Sequence, residues 1–176
     1  MLDLLQQRRS IRKFKQQPVE EEKVVQLSEA LLRAPSSRNM QPCEFILIDD
    51  SSLLQRLSVA KRHGTSFFTT SPLAVVIAAD PKVSDVWVED SAIAAIIVQL
   101  AAESLGLKSC WAQLRLRGHD DDLTATEYVR QLVGLPEGME IPMVIAIGYP
   151  AEDKGGHPRD SLSATKIHYN QFELKN

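Results

Sequence analysis

The sequence predicts a layered α/β domain with helices on both faces of one sheet, and three observations carry that expectation. Four short apolar runs suited to strands alternate with helical patterns along the chain. One helical stretch, residues 85–105, is apolar on nearly every side, as a helix buried between layers must be. The chain has 176 residues, of which 44% are hydrophobic and 24% charged, enough for a sizeable core without disulfides or metals.

Residues 2–7 read as a short helix, followed by the basic arm Arg8-Arg9-Ser10-Ile11-Arg12-Lys13-Phe14. Residues 20–33 form a second helix. Glu20, Glu21 and Glu22 suit its positive end, Val24, Leu27 and Leu31 recur at helical spacing, and Pro35 stops it. A polar loop, Pro35-Ser36-Ser37-Arg38-Asn39-Met40-Gln41-Pro42, leads to a strand at 44–49 and a helix at 52–62. The valine-rich run 73–79, bounded by Pro72 and Pro81, is a buried strand. The long helix follows, with Gln99 its only strongly polar side chain between Asp90 and Glu103, and Gly106 ends it. A strand is expected at 109–116. Thr124-Ala125-Thr126-Glu127 has capping-box spacing and opens a helix to about Leu132. A last strand spans 143–147.

Residues 1–176 read as one domain, with 151–176 as an extended tail. Gly155-Gly156, Pro158 and scattered charges give that tail too little apolar periodicity to fold alone, so it needs the body or a second chain to lie on. Strand order is not fixed by these patterns, and the helix pair before the first strand does not suit a simple doubly wound sheet.

Composition excludes several classes. A net charge of −3 argues against binding along a nucleic-acid backbone. Cys43 and Cys110 lack metal-ligand spacing and read as two reduced thiols, and no metal site is expected. The N-terminal order, apolar before basic, is the reverse of an export signal, and no apolar run is long enough to span a bilayer, so a cytoplasmic protein is expected. Hydrolase, P-loop and dinucleotide-fold motifs are missing. Glu89-Asp90 and His119-Asp120-Asp121-Asp122 read as helix-end electrostatics rather than as catalytic or metal-binding groups.

Three segments can carry chemistry. Three guanidiniums and a hydroxyl within Arg8–Arg12 can wrap a phosphate with charge-assisted hydrogen bonds, and alternation in extended backbone points Arg8, Ser10 and Arg12 to one face. Taken alone, the arm reads more readily as a solvated basic face or a helix C-terminus complementing its dipole. The loop at 35–42 offers polar groups between stiffening prolines, suited to a heterocycle edge or to an ordinary connection. Gly106-Leu107-Lys108-Ser109-Cys110-Trp111-Ala112-Gln113 can bring an aromatic plane and backbone amides beside a ligand, although a tryptophan so placed is more often simply core.

Taken in order, RRSIRKF, APSSRNMQP, the alanine-rich helix ending in LGLKSCW, and AIGYPAEDK resemble the FMN-dependent nitroreductase family, in its shorter members and over nearly the whole chain. The resemblance implies an α+β, three-layer αβα sandwich with a central mixed or antiparallel sheet and a buried central helix. It implies a homodimer with FMN at the interface and NADH or NADPH as electron donor. Arg8, Arg9 and Ser10 are then expected on the FMN phosphate and ribityl chain, and Arg12 at the pyrimidine edge, where it would stabilise charge on reduction. Pro35, Ser36, Ser37, Asn39 and Gln41 are expected to reach that flavin from the partner chain. The backbone N–H of Gln113 is expected near flavin N5. Lys154, with Gly148 close by and Arg159 as a further candidate, is expected to complete the phosphate clamp. No protein acid or nucleophile is required, because the cofactor carries the chemistry: a two-step relay of hydride from nicotinamide to N5 and on to a nitroaromatic, quinone or similar acceptor. The same fold serves dehalogenation, enoate reduction and heterocycle oxidation, and a non-catalytic FMN carrier is the alternative of another class. The family commonly has QPW where this chain has Gln41-Pro42-Cys43, which opens space or loosens packing there.

Overall fold

The computed structural model describes residues 1–172. Among the described residues five α-helices and four strands follow in order: α1 (Leu2–Gln7), α2 (Glu21–Leu32), β1 (Cys43–Ile48), α3 (Ser51–Leu57), β2 (Leu73–Ala79), α4 (Trp87–Ser104), β3 (Lys108–Gln113), α5 (Ala125–Val133) and β4 (Glu140–Gly148). The strands form one sheet in the order β1-β2-β4-β3, every pair antiparallel. All seven residues of β2 are buried, as a central strand covered on both faces requires.

Alternation along the strands divides the core. Val75, Ile77, Met143, Ile145 and Ile147 face α2 and α4, where Leu27, Leu31, Ala94, Ala95, Val98 and Ala102 cover them. Ala74, Val76, Ala78, Val144 and Ala146 face α3 and α5, with Leu54, Leu57, Val129, Phe67 and Phe68. Burying a side chain of Val or Leu size contributes about 1.5–3 kcal/mol, so these two layers supply most of the drive to fold. The small residues on the inner face of α4 let the helix lie close to the sheet. The capping box at α5 forms in full: the Thr124 hydroxyl accepts from the Glu127 N–H, and the Glu127 carboxylate accepts from the Thr124 N–H.

Several boundaries differ from expectation. The α3 helix ends at Leu57 instead of reaching residue 62. The β3 strand ends at Gln113 instead of Leu116, because the Leu114 and Arg115 amides both donate to the Pro142 carbonyl and the Arg117 amide then closes a turn on Leu114. Leu116 sits at φ 60 in that turn. The β4 strand begins at Glu140, earlier than its apolar run alone suggests. The α4 helix is not buried all round: Ile93 and Ile96 are each 37% exposed in the single chain.

Candidate functional site

The β3 strand is an edge strand, and its free side organises the site. Residues of an antiparallel edge strand alternate between pairing with the neighbour and presenting N–H and C=O outward. The Ser109 carbonyl bonds the arm, the Gln113 carbonyl bonds Lys61, and Leu114 bonds across to Pro142, so by alternation Ser109, Trp111 and Gln113 present their backbone groups to the open edge. The arm occupies the first part of that edge. Ser10 pairs in parallel with Ser109, and the Ile11 amide donates to the Ser109 carbonyl at 3.1 Å. Ile11 and Phe14 are buried, which pins the arm as a hydrophobic anchor. Its far side is bonded to the segment after β4, through Lys15 N–H to the Tyr149 carbonyl at 2.9 Å and Ala151 N–H to the Lys13 carbonyl at 2.8 Å.

With its backbone fixed on both sides, the arm lifts its polar side chains into one cavity. Arg8, Arg9, Ser10, Arg12, Lys154 and His157 line a space of 270 Å³. Five of these six are cationic or can become so, and no carboxylate belongs to the lining. Among the described residues, the Arg8 and Arg12 guanidiniums and the Ser10 hydroxyl make no side-chain hydrogen bond. Arg9 donates to a ring nitrogen of His157. Unspent donors converging on a small cavity suit a multiply charged oxyanion such as a phosphate monoester. The residues present therefore fit the phosphate end of FMN.

Glu152 holds this cradle in shape, and it carried no signal in the sequence. Its carboxylate accepts from the Arg12 amide at 2.5 Å and the Lys13 amide at 3.2 Å, while its other oxygen pairs with Lys154 at 2.7 Å. The Lys154 ammonium first, and the Arg12 amide second, hold its carboxyl down from 4.5 to about 2. A depressed carboxyl contributes its stabilisation above the ordinary glutamate range and loses it as pH falls toward the depressed value. Between about pH 4.5 and 2 the arm should therefore loosen from the tail. NMR shifts of the Arg12 and Lys13 amides should titrate near 2 in the natural chain, and Glu152→Gln should abolish that step.

Gln113 stands at the other end of the edge, four residues from Ser109, or about 13 Å along the strand. Its carbonyl accepts from the Lys61 ammonium at 3.1 Å, and its side chain accepts from the Trp111 indole at 3.1 Å. Alternation leaves its N–H directed to the same open side. Lys61 is a second residue that the sequence gave no reason to single out.

The 35–42 loop lies elsewhere in the chain. Its anchor is Asp90, buried in the first turns of α4, whose carboxylate accepts from the Ser37 amide at 2.8 Å and the Ser84 hydroxyl at 2.9 Å. The Ser36 hydroxyl accepts from the Gln41 amide at 2.8 Å, and Arg38 pairs with Asp85. Arg38, Asn39 and Gln41 all have positive φ, a conformation that Asn tolerates best, and Asn39 is exposed. Pro35, Ser36 and Gln41 border a cavity of 290 Å³ together with Cys43. Asp90 thus has a structural role, as expected, but it serves the loop rather than the helix end alone. Asp90→Ala would leave the Ser37 N–H and the Ser84 hydroxyl unpaired and should cost about 2–3 kcal/mol. The midpoint of urea unfolding would report the loss.

Two other expected residues lie beside the cradle without lining it. Gly148 lies behind the arm, where a Cβ would sit 2.5 Å from Pro72 Cδ and 3.2 Å from Phe14 Cδ1; close packing accounts for the glycine. Arg159 is exposed, in a short turn of the tail, and borders a neighbouring groove with Leu2, Leu5 and Leu162 that shares Arg8 and His157 with the cradle. The acidic run at 120–122 is structural: Asp120 accepts from the Asp122 and Leu123 amides, and Asp121 pairs with Arg62. Among the described residues no cluster of side chains is arranged to hold a metal ion, and no helix is long and apolar enough to cross a membrane.

Comparison with known proteins places this architecture. The model of the Nitroreductase family matches residues 5–64 and 58–149. An FMN-dependent nitroreductase of Clostridium difficile superposes with a TM-score of 0.95 at 42% identity, covering 98% of this chain and 100% of its own. An NADH dehydrogenase/NAD(P)H nitroreductase, so named, of Archaeoglobus fulgidus is 32% identical over 172 residues, 95% of each chain. The NADPH:FMN oxidoreductase of Vibrio harveyi, at 24% identity and a TM-score of 0.81, shares the fold. An antiparallel sheet between two helical layers, a basic arm on its free edge, and these matches over nearly the full length agree: the chain belongs to the nitroreductase family.

Proposed function

We propose that the protein is a cytoplasmic FMN-dependent NAD(P)H oxidoreductase that works as a homodimer and passes electrons from nicotinamide to a nitroaromatic, quinone or similar acceptor. The carrying observation is the cradle of Arg8, Arg9, Ser10, Arg12 and Lys154, built on an arm that pairs with the free edge of β3 at Ser109. When bound there, FMN supplies the two-electron chemistry. The chain's residues bind and orient it: Arg8, Arg9 and Lys154 match a dianionic phosphate, the Ser10 hydroxyl adds a neutral donor, and Arg12 supplies positive charge farther along the edge. The Gln113 N–H, 13 Å or so beyond Ser109, offers a fixed donor at the redox end.

The geometry of α4 supports a dimer with the cofactor shared between chains. The loop at 35–42 is tied to Asp90, whereas the arm meets β3 beside Glu103, whose carboxylate pairs with Lys108. These two ends of α4 lie about 20 Å apart along the helix. A two-fold axis crossing α4 near the exposed Ile93 and Ile96 would set the arm of one chain beside the loop of the other and cover the apolar surface. Ser36, Asn39 and Gln41 would then reach the flavin from the partner side.

An anaerobic absorbance spectrum before and after addition of NADH or NADPH tests the reading. Flavin bands that bleach on addition are expected, together with a dimer mass by light scattering. Flavin that persists unreduced would point instead to a carrier, and protein that takes up no FMN would end the proposal.

A further inference from the structure

Beyond the cradle, the open edge of β3 ends in a second concentration of positive charge that binding of the cofactor phosphate does not use. The turn that terminates the strand places Arg115 and Arg117 on either side of Leu116, which is 81% exposed. Arg115 lies over the Trp87 ring, its guanidinium carbon 5.8 Å from the centroid. Among the described residues the Arg117 guanidinium bonds only to the carbonyl of Leu116 in its own turn. Lys61 approaches from the end of the α3 segment and donates to the Gln113 carbonyl. Among the described residues none of these three cations is within ion-pair distance of a carboxylate, although Arg62 alongside pairs with Asp121.

Holding like charges together without a counter-ion is unfavourable, and Arg117 acts on Lys61 in that sense. Burial first, and the Arg117 guanidinium second, lower its ammonium below the ordinary lysine value. Lys61 is half-buried, and its bond to the Gln113 carbonyl holds the ammonium at the strand end. An anion seated between these side chains would relieve the repulsion and gain bidentate guanidinium hydrogen bonds.

We propose that Lys61, Arg115 and Arg117 form an anion-recognition site for the reactant that docks against the flavin, selecting substrates that carry a phosphate or carboxylate. The inference rests on the flavin reading for the identity of the docked reactant. Two sources share this chemistry: the extra ribose phosphate that separates NADPH from NADH, and an acidic group on the electron acceptor. The site lies beside the outward N–H of Gln113, so an anion held there fixes the reactant at the end of the edge opposite the cofactor phosphate.

The test is calorimetric titration of the FMN-loaded protein with two matched pairs, NADP+ against NAD+ and para-nitrobenzoate against para-nitrobenzamide. At least one anionic member is expected to bind about tenfold tighter than its neutral counterpart, and the pair that discriminates names the source. Arg117→Gln and Arg115→Gln should each cut that advantage to about threefold or less, with flavin occupancy and thermal midpoint unchanged. Equal binding within both pairs, or an advantage that survives both substitutions, would overturn the proposal. The same titrations can be run on flavin-free protein, so failure to take up FMN sinks the flavin reading without removing this comparison.

Discussion

Replacing Arg8 and Ser10 together by alanine is expected to yield a folded protein that has lost most of its FMN. Neither side chain is buried, and neither makes a side-chain hydrogen bond among the described residues. The arm keeps its own attachments, since Ile11, Phe14 and the backbone bonds to Ser109, Tyr149 and Lys13 are untouched. Stability should therefore change little. Binding should change much more: a charge-assisted hydrogen bond contributes about 1.5–3 kcal/mol and a neutral one about 1. Losing both would weaken FMN by a factor on the order of 100–1,000. The ratio of flavin to protein absorbance after gel filtration gives the occupancy, and quenching of FMN fluorescence gives the affinity. Riboflavin, which lacks the phosphate, is the control. The natural chain should bind it far more weakly than FMN, and the double variant should hardly distinguish the two. Full occupancy in the variant would mean that the cradle does not hold the phosphate.

The fold was largely legible because its elements announce themselves locally. Thr124 and Glu127 spell out a capping box that forms in full, and the valine-rich run bounded by prolines is β2 to the residue. The misplaced ends were decided by contacts distant in sequence. Nothing near Leu116 says that the Pro142 carbonyl will take two amides and stop β3 at Gln113. Strand order was illegible for the same reason, since antiparallel pairing of β2 with β4 joins residues some seventy positions apart. The resemblance to the family brought Arg8, Arg9, Ser10, Arg12 and Lys154 together on paper, and the structure places them around one cavity. It could not supply Glu152, an ordinary acidic residue until its carboxylate meets two amides and Lys154. His157 is similar. Its isolation in sequence hides that the tail returns it to Arg9. Asp90 shows the converse: a carboxylate that reads as helix-end electrostatics accepts from a backbone amide of a loop fifty residues earlier.

The return of the tail depends on one glycine, and its substitution should damage the site while sparing the core. A Cβ on Gly156 would fall 1.7 Å from the Gln6 carbonyl oxygen and 2.8 Å from its carbon. Both are backbone atoms at the end of α1, so no side chain can rotate out of the way. Either α1 or the tail must move by more than an ångström. The strain falls on the contact between them and not on the core, because α1 has no buried residue and the buried hydrophobic core ends at Ile147. Lys154 precedes Gly156 by two residues and His157 follows it, so the displacement opens the cradle from one side. Overpacking of this kind typically costs about 1–3 kcal/mol. Expressed at the cradle, that is a loss of roughly tenfold to a hundredfold in FMN affinity, with little change in the unfolding midpoint of the body. Limited proteolysis should cut the variant after Pro150 sooner than the natural chain. Gly155 supplies the neighbouring control: a Cβ there meets nothing within 4 Å, so Gly155→Ala should keep its flavin and its resistance to protease. If the two alanine variants lose flavin equally, the close approach of the tail to α1 does not shape the cradle, and the clamp must be sought in the arm alone.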